Sequence, residues 1–133
     1  MIGIVIVAHG GLAAEYLAAV EHVVGPLKHV RAIAIAANFD KARKAAEIID
    51  AADAVDTGDG VIVVVDMFGS SPSNLSLPAC ADSDRKILYG ANLPMLVKLA
   101  KSREGNVETA TKAAMAAGRK YIDVIDGKPG GRE

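Results

Sequence analysis

Three segments of this sequence, two of them unbroken apolar runs, lead into residues that can do chemistry. Residues 4–8 run into His9-Gly10-Gly11. Residues 61–65 run into Asp66, then Met67-Phe68-Gly69-Ser70-Ser71-Pro72-Ser73-Asn74. Residues 86–89 lead to Gly90-Ala91-Asn92-Leu93-Pro94. A neutral imidazole nitrogen is nucleophilic near pH 7, which makes His9 the reactive candidate. The two glycines after it permit a tight backbone and leave room for a second protein to approach. The competing reading is a histidine that merely finishes a strand. Asp66 can accept a hydrogen bond from one ring nitrogen of His9, fixing the tautomer and leaving the other nitrogen to attack phosphorus. Otherwise it is a loop or helix-capping aspartate. Ser70 and Ser71 stand where a helix begins, so free backbone N–H groups there favour an anion and a hydroxyl adds a donor. With Gly10 they are the candidate phosphate-binding residues. Ser71-Pro72 equally reads as an N-cap followed by Pro at the first helical position, and both readings hold together. Asn92 is a further donor or a turn residue, and the spacing favours the turn.

These residues converge only if the surrounding elements bring them together. The runs at 4–8 and 61–65 are short and rich in Val and Ile, as strands buried on both faces of a parallel sheet are. Residues 30–36 and 86–89 read as two more strands, and 121–125 as a weaker fifth. Between them lie helical patterns. Leu12, Tyr16, Ala19, Val20 and Val23 share one face, and Gly25-Pro26 stops that helix. Ala42, Ala45, Ala46, Ile49 and Ala52 mark a second. Residues 94–101 and 107–119 supply two more, with Asn106 as a cap for the last and Glu108 favourable in its first turn. Alternating strands and helices imply right-handed crossovers and a sheet covered on both faces. In such a sheet ligands sit at the carboxyl ends of the strands, where His9, Asp66 and Asn92 fall if their strands are neighbours.

Composition narrows the function classes. The chain has 133 residues, 51% of them apolar, with Phe39, Phe68, Tyr16, Tyr89 and Tyr121 as its aromatics. One domain over residues 1–126 and a Gly, Pro and charge-rich tail over 127–133 are expected. The net charge of −1, from 15 basic and 16 acidic residues, gives no basic footprint for nucleic acid, and the thin aromatic content gives no base-stacking surface. Cys80 has no partner for an internal disulfide and lies in an apolar helical stretch, which reads as a packed thiol. No apolar run approaches a membrane span, and the N-terminus reads as a strand rather than a signal peptide, so a cytoplasmic protein without membrane insertion is expected. His22 and His29 read as solvated or partly packed. No spacing points to a metal site, no GxxxxGK[ST] or GxGxxG loop is present, and no cofactor is expected.

Val7-Ala8-His9-Gly10, residues 60–74 (GVIVVVDMFGSSPSN) and residues 90–96 (GANLPML) together resemble the mannose-type EIIA domains of the bacterial phosphotransferase system, in order and spacing over the whole chain. The resemblance implies a flavodoxin-like α/β three-layer sandwich, with a mostly parallel sheet and an antiparallel last strand. It implies a homodimer, often with that strand exchanged between subunits. Carried over residue by residue, it makes His9 the phosphorylated histidine, Asp66 the carboxylate that orients it and Ser71 the hydroxyl beside the phosphoryl group. Family members receive the phosphoryl group from the small carrier HPr and hand it to an EIIB domain. Where they often have Trp-Gly-Gly-Ser-Pro-Phe-Asn, this chain has Phe68-Gly69-Ser70-Ser71-Pro72-Ser73-Asn74, which keeps the hydroxyl at Ser71 and alters the surface a partner meets.

Rival readings fit less well. A receiver-type domain needs acidic residues after the first strand to hold magnesium, where His9 stands. A histidine phosphatase wants Arg before His-Gly, where Ala8 stands. A hydrolase triad of His9, Asp66 and Ser71 lacks the G-x-S-x-G elbow. The expected function is a histidine phosphocarrier, a phosphotransferase component that passes its phosphoryl group on or uses it as a regulatory signal. A regulatory partner is favoured over an EIIB because no EIIB domain follows residue 133. Sugar uptake through a separate EIIB is the close alternative.

Overall fold

The structure is a computed structural model that describes residues 1–67, 69–81 and 84–127. Four of the expected strands form one sheet: β1 (Gly3–His9), β2 (Val30–Ile35), β3 (Val61–Val65) and β4 (Arg85–Tyr89). Their order is β2-β1-β3-β4, and every neighbouring pair is parallel. In register, Ile6 lies between Ala32 of β2 and Val64 of β3, and Val65 stands opposite Tyr89 of β4. The helices are α1 (Leu12–Val24), α2 (Lys41–Val55), α3 (Ser71–Ser76), α4 (Leu93–Lys101) and α5 (Val107–Lys120), with a 3₁₀ turn at Leu77–Cys80 after α3.

Sheet position explains the sequence pattern. β1 and β3 are central, are covered on both faces, and are therefore unbroken apolar runs. β2 and β4 are the edges and alternate, with Arg31 and Ala34 exposed on one and Lys86 and Tyr89 on the other. The two-residue period sorts side chains between two cores. Ile4, Ile6, Ile62, Val64 and Leu88 meet Val20 of α1, Leu96 and Leu99 of α4 and Ala110 and Ala114 of α5. Val5, Val7, Ile33, Val63 and Val65 meet Ile48, Ala52 and Val55 of α2 and Ala79 of the 3₁₀ turn. Each fully buried Val or Ile contributes about 1.5–3 kcal/mol relative to exposure. The product is the three-layer α/β sandwich expected of a flavodoxin-like fold.

Polar ties set the edges. Arg85 donates from Nη2 to Asp53 of α2 and to Asp56, which caps the end of that helix (2.8 and 3.1 Å), and from Nη1 to the Ala79 carbonyl, joining β4 to the helical layer beneath it. At the end of the sheet away from His9, buried Arg103 donates from Nε to the Ile2 carbonyl (2.8 Å) and from Nη2 to the His29 carbonyl (2.9 Å). Cys80 packs half-buried against the α2 side, where burial raises its thiol pKa against an opposing pull from Arg85.

One expected element is absent. The antiparallel last strand at residues 121–125 does not form, and the sheet has four strands, all parallel. A strand requires a neighbour to complete its ladder, and these residues leave the end of α5 without reaching one in the single chain. Tyr121, Ile122, Val124 and Ile125 are instead exposed, the last three being 75, 83 and 58% accessible. Of the expected tail, Gly127 is exposed and unstructured, and residues 128–133 lie outside the described residues.

Candidate functional site

The strand order brings the chemistry-bearing loops to one end of the sheet. β3 lies between β1 and β4, so the residues following β1, β3 and β4 sit side by side at their carboxyl ends. His9 is the last residue of β1, and Asp66 directly follows β3. Asp66 Oδ2 lies 2.7 Å from His9 Nδ1 and also accepts the backbone N–H of His9 at 3.0 Å. Asp66 Oδ1 accepts the backbone N–H of Met67 at 3.0 Å. Burial pushes the Asp66 carboxyl up, but the hydrogen bonds from the His9 amide and ring and the Met67 amide outweigh it, and the pKa falls below its usual 3.8. An ionised carboxylate only accepts, so Nδ1 carries the proton of this pair. Nε2 is then the ring nitrogen with a free lone pair, and it has no hydrogen-bond partner among the described residues. The His9 side chain is 49% exposed while that of Asp66 is 12% exposed, so the carboxylate is sheltered and the imidazole is open.

The glycine after His9 is needed for conformation. Gly10 has φ +56°, where a side chain is strained, and the space where a Cβ would stand is open. Its N–H donates to the Ile35 carbonyl at 3.0 Å, so the chain turns away immediately beyond the imidazole.

The serines are placed differently from the simplest expectation. The N-cap of α3 is Ser70, Ser71 is the first helical residue, and Pro72 is the second. Ser71 is therefore not a capping residue, and its hydroxyl has no hydrogen-bond partner among the described residues. α3 packs against β1 and β3, which keeps Ser71 at the His9 end of the sheet. The Ser70 hydroxyl donates to the Met67 carbonyl at 2.7 Å, so its proton is committed within the loop. Asn92 is a helix N-cap and not merely a turn residue. Its Oδ1 accepts the Met95 N–H at 3.0 Å, and its Nδ2 donates to the Gly118 carbonyl at 3.0 Å, joining the starts of α4 and the end of α5. His22 and His29 are exposed and remote from these loops, as expected.

Two supporting residues escape a reading for reactive groups. Tyr16 donates its hydroxyl to the Ala91 carbonyl at 3.1 Å, and Ala91 N–H donates to the Val65 carbonyl, so α1 and β3 both hold the loop after β4. Ser73, buried on α3, accepts the Gly69 N–H at 3.0 Å and donates to the Ser70 carbonyl at 3.4 Å. The available signal for Ser73 is its spacing three residues beyond the Ser70 cap, where a capping box places a polar side chain. Among the described residues no group of three or more His, Cys, Asp or Glu side chains is placed to hold a metal ion, and no helix is long and apolar enough to cross a membrane.

Comparison with known proteins identifies the family and the fold. The family model described as the fructose IIA component of the PTS system, EIIA-man, matches residues 3–117. The chain is 29% identical to the mannose-specific EIIAB component of Escherichia coli K12, covering 96% of this chain and 41% of that protein, so it spans about two fifths of the length of the curated relatives it matches. Among solved structures, the phosphotransferase system component EIIA of Streptococcus agalactiae superimposes with a TM-score of 0.78 at 25% identity, covering 93% of this chain and 97% of that one. The mannose/sorbose-specific IIA subunit of Enterococcus faecalis shares the fold with a TM-score of 0.84 at 22% identity, covering 96 and 97%. A family match across most of the sandwich, over a chain with the same architecture, places this protein in the EIIA-man family: it is a mannose/fructose-type EIIA component of the phosphotransferase system.

Proposed function

We propose that this protein carries a phosphoryl group on Nε2 of His9, taking it from the phosphohistidine of HPr and passing it to an EIIB partner. The observation that carries this reading is the 2.7 Å contact between Nδ1 and the Asp66 carboxylate, beside an unpartnered Nε2 on a half-exposed ring. In the forward step the Nε2 lone pair forms a bond to phosphorus as the donor's P–N bond breaks. The donor ring, protonated on its other nitrogen, leaves as neutral imidazole, and His9 becomes a phosphoimidazolium whose positive charge faces Asp66. The ionised carboxylate stabilises that charge without taking the proton. The unpartnered Ser71 hydroxyl supplies a donor for a phosphoryl oxygen, the open turn at Gly10 admits the partner, and Ser70 contributes by holding the loop. The relative named mannose-specific EIIAB favours onward transfer in sugar uptake over the regulatory end-point expected from the sequence. Such a relay operates in the cytoplasm. The test is to incubate the protein with phospho-HPr and map the label. An acid-labile mark on His9, absent from His9→Ala, supports the reading, whereas equal labelling of His9→Ala overturns it.

The working form is a homodimer. The exposed Tyr121, Ile122, Val124 and Ile125 adjoin a groove of about 390 Å³ lined by residues that include Ile87, Met95, Met115 and Ile122, alongside the edge strand β4. Both an open sheet edge and an apolar segment favour pairing with a second chain. A closed pair in which residues 121–125 of each chain add to the other's β4 buries both. Light scattering at micromolar concentration reads this directly, and a monomer there overturns it.

A further inference from the structure

We infer that Ser73 is a positioning residue for phosphoryl transfer, because its buried hydroxyl clamps the backbone on both sides of Ser70 and so sets the direction of the Ser71 amide and hydroxyl. This rests on the phosphocarrier reading of His9. In the phosphocarrier reading the chain between Asp66 and Ser71 has two tasks at once: to hold the carboxylate against His9 Nδ1, and to present the Ser71 donors to a phosphoryl group on Nε2. Yet it contains Gly69 at φ +78°, which alone leaves a wide choice of conformations. Holding a residue in one backbone conformation costs roughly 1–2 kcal/mol, so the loop needs fixed contacts to stay in place.

Ser73 supplies them from a rigid element. It lies on α3, is 6% exposed, and its Oγ accepts the Gly69 N–H at 3.0 Å while donating to the Ser70 carbonyl at 3.4 Å. The Asn74 N–H also bonds that carbonyl at 3.0 Å. The Ser70 carbonyl and the Ser71 N–H belong to one planar peptide unit. Fixing where the carbonyl points therefore fixes the opposite direction of the Ser71 N–H and, through the Ser71 Cα, the origin of its side chain. The Ser70 hydroxyl, bonded to the Met67 carbonyl at 2.7 Å, ties the same loop back to the residue beside Asp66. Together the two serine hydroxyls leave the Ser71 hydroxyl as the one on this loop that is free to meet a ligand.

Ser76 provides an internal control. Its hydroxyl is also fully buried on α3 and donates to the Pro72 carbonyl at 2.6 Å, but it makes no hydrogen bond to the described residues between Asp66 and Ser71. The experiment compares wild type, Ser73→Ala, Ser73→Thr and Ser76→Ala, each checked for folding by thermal unfolding, in labelling by phospho-HPr. Displacing a group by about 1 Å costs up to roughly 100-fold in rate. Ser73→Ala is expected to lower the transfer rate constant about 10-fold or more with little change in KM, and to move the ³¹P shift of phosphorylated His9 toward that of a solvated phosphohistidine. Ser73→Thr, which keeps the oxygen, restores most of the rate, and Ser76→Ala lowers stability without changing rate or shift. Equal kinetics and ³¹P shifts for Ser73→Ala and wild type overturn this inference alone, as does the same loss in Ser76→Ala. Absence of label on His9 of the wild type overturns the phosphocarrier reading, and this inference with it.

Discussion

The His9 end of β1 and the segment after α5 behave in opposite ways within a single chain. At His9 the polar groups find partners from their own chain: Asp66 receives three N–H groups, Asn92 and Tyr16 brace the neighbouring loop, and Ser73 braces the loop after β3. After α5 four large apolar side chains stand in solvent, and β4 is the edge strand of the sheet among the described residues. The first region is organised within one chain, whereas the second is the surface proposed above to pair with a second copy. The contrast teaches that transfer chemistry and assembly are separable here, because the contacts that orient His9 involve no residue of the segment 121–125.

The largest expected effect is at the nucleophile. His9→Ala removes the atom proposed to accept phosphorus, so labelling by phospho-HPr should fall below detection while the proposed dimer persists. Detection of a His9→Ala monomer by light scattering would break the separation just drawn. Asp66→Asn comes next, with a loss on the order of 10²–10³-fold in transfer rate, since a misoriented or wrongly tautomeric histidine is a poor nucleophile. An asparagine that turns its carbonyl toward His9 also sets its amide against the Met67 N–H, so one loop hydrogen bond is lost in either orientation. Stopped-flow transfer with the folded variant measures this, and a near-normal rate excludes the orienting role.

The same pair carries a pH dependence. Because the folded-state pKa of Asp66 is depressed, its contribution to stability is fully present above its ordinary value of 3.8 and is lost as pH falls through the lower folded value. The stability difference between wild type and Asp66→Asn, followed by denaturant unfolding, should therefore be constant near neutrality and shrink below about pH 4. A gap that widens on acidification contradicts the assignment.

At the other region, Ile122→Asp combined with Val124→Asp places two charges where apolar burial is expected. Dimer association should weaken by about 100-fold or more, as removal of two buried aliphatic side chains implies, and His9 labelling should stay within a few-fold of wild type. Sedimentation and labelling of the same sample sharpen the comparison, since a joint loss shows that the site needs the second copy. The smallest effect is expected remote from both regions. Asp40 caps α2 by accepting the Arg43 N–H at 3.0 Å, so Asp40→Ala should cost about 1 kcal/mol in thermal or denaturant unfolding and leave transfer unchanged.

Much of the fold is legible in the chain because burial leaves a direct signature. Val61 to Val65 are apolar without interruption because β3 is covered on both faces. Gly25 ends α1 and Asn106 caps α5 by purely local chemistry, which neighbouring residues suffice to specify. His9 and Asp66 stand out for the same reason, as polar residues closing apolar strands. Residues 121–125 have the composition of a strand and correctly mark an apolar surface, but strand formation depends on a partner, and no local pattern says whether that partner is in the same chain.

What the sequence by itself determined, then, is the alternation of elements and the two-sided burial of the central strands, and it named the candidate site groups. Tertiary structure alone decided which of those groups meet. The order β2-β1-β3-β4 puts Asp66 beside His9 although 57 residues separate them, and it sets Nδ1 against the carboxylate while Nε2 stays without a hydrogen-bond partner among the described residues. It likewise decided that Ser70 caps α3 while Ser71 stays unpartnered, a one-residue difference that propensity does not resolve. The physical reason is the range of the forces involved. Burial and capping act on residues close in sequence, whereas a directed hydrogen bond at 2.7 Å requires two strands to be packed in one register.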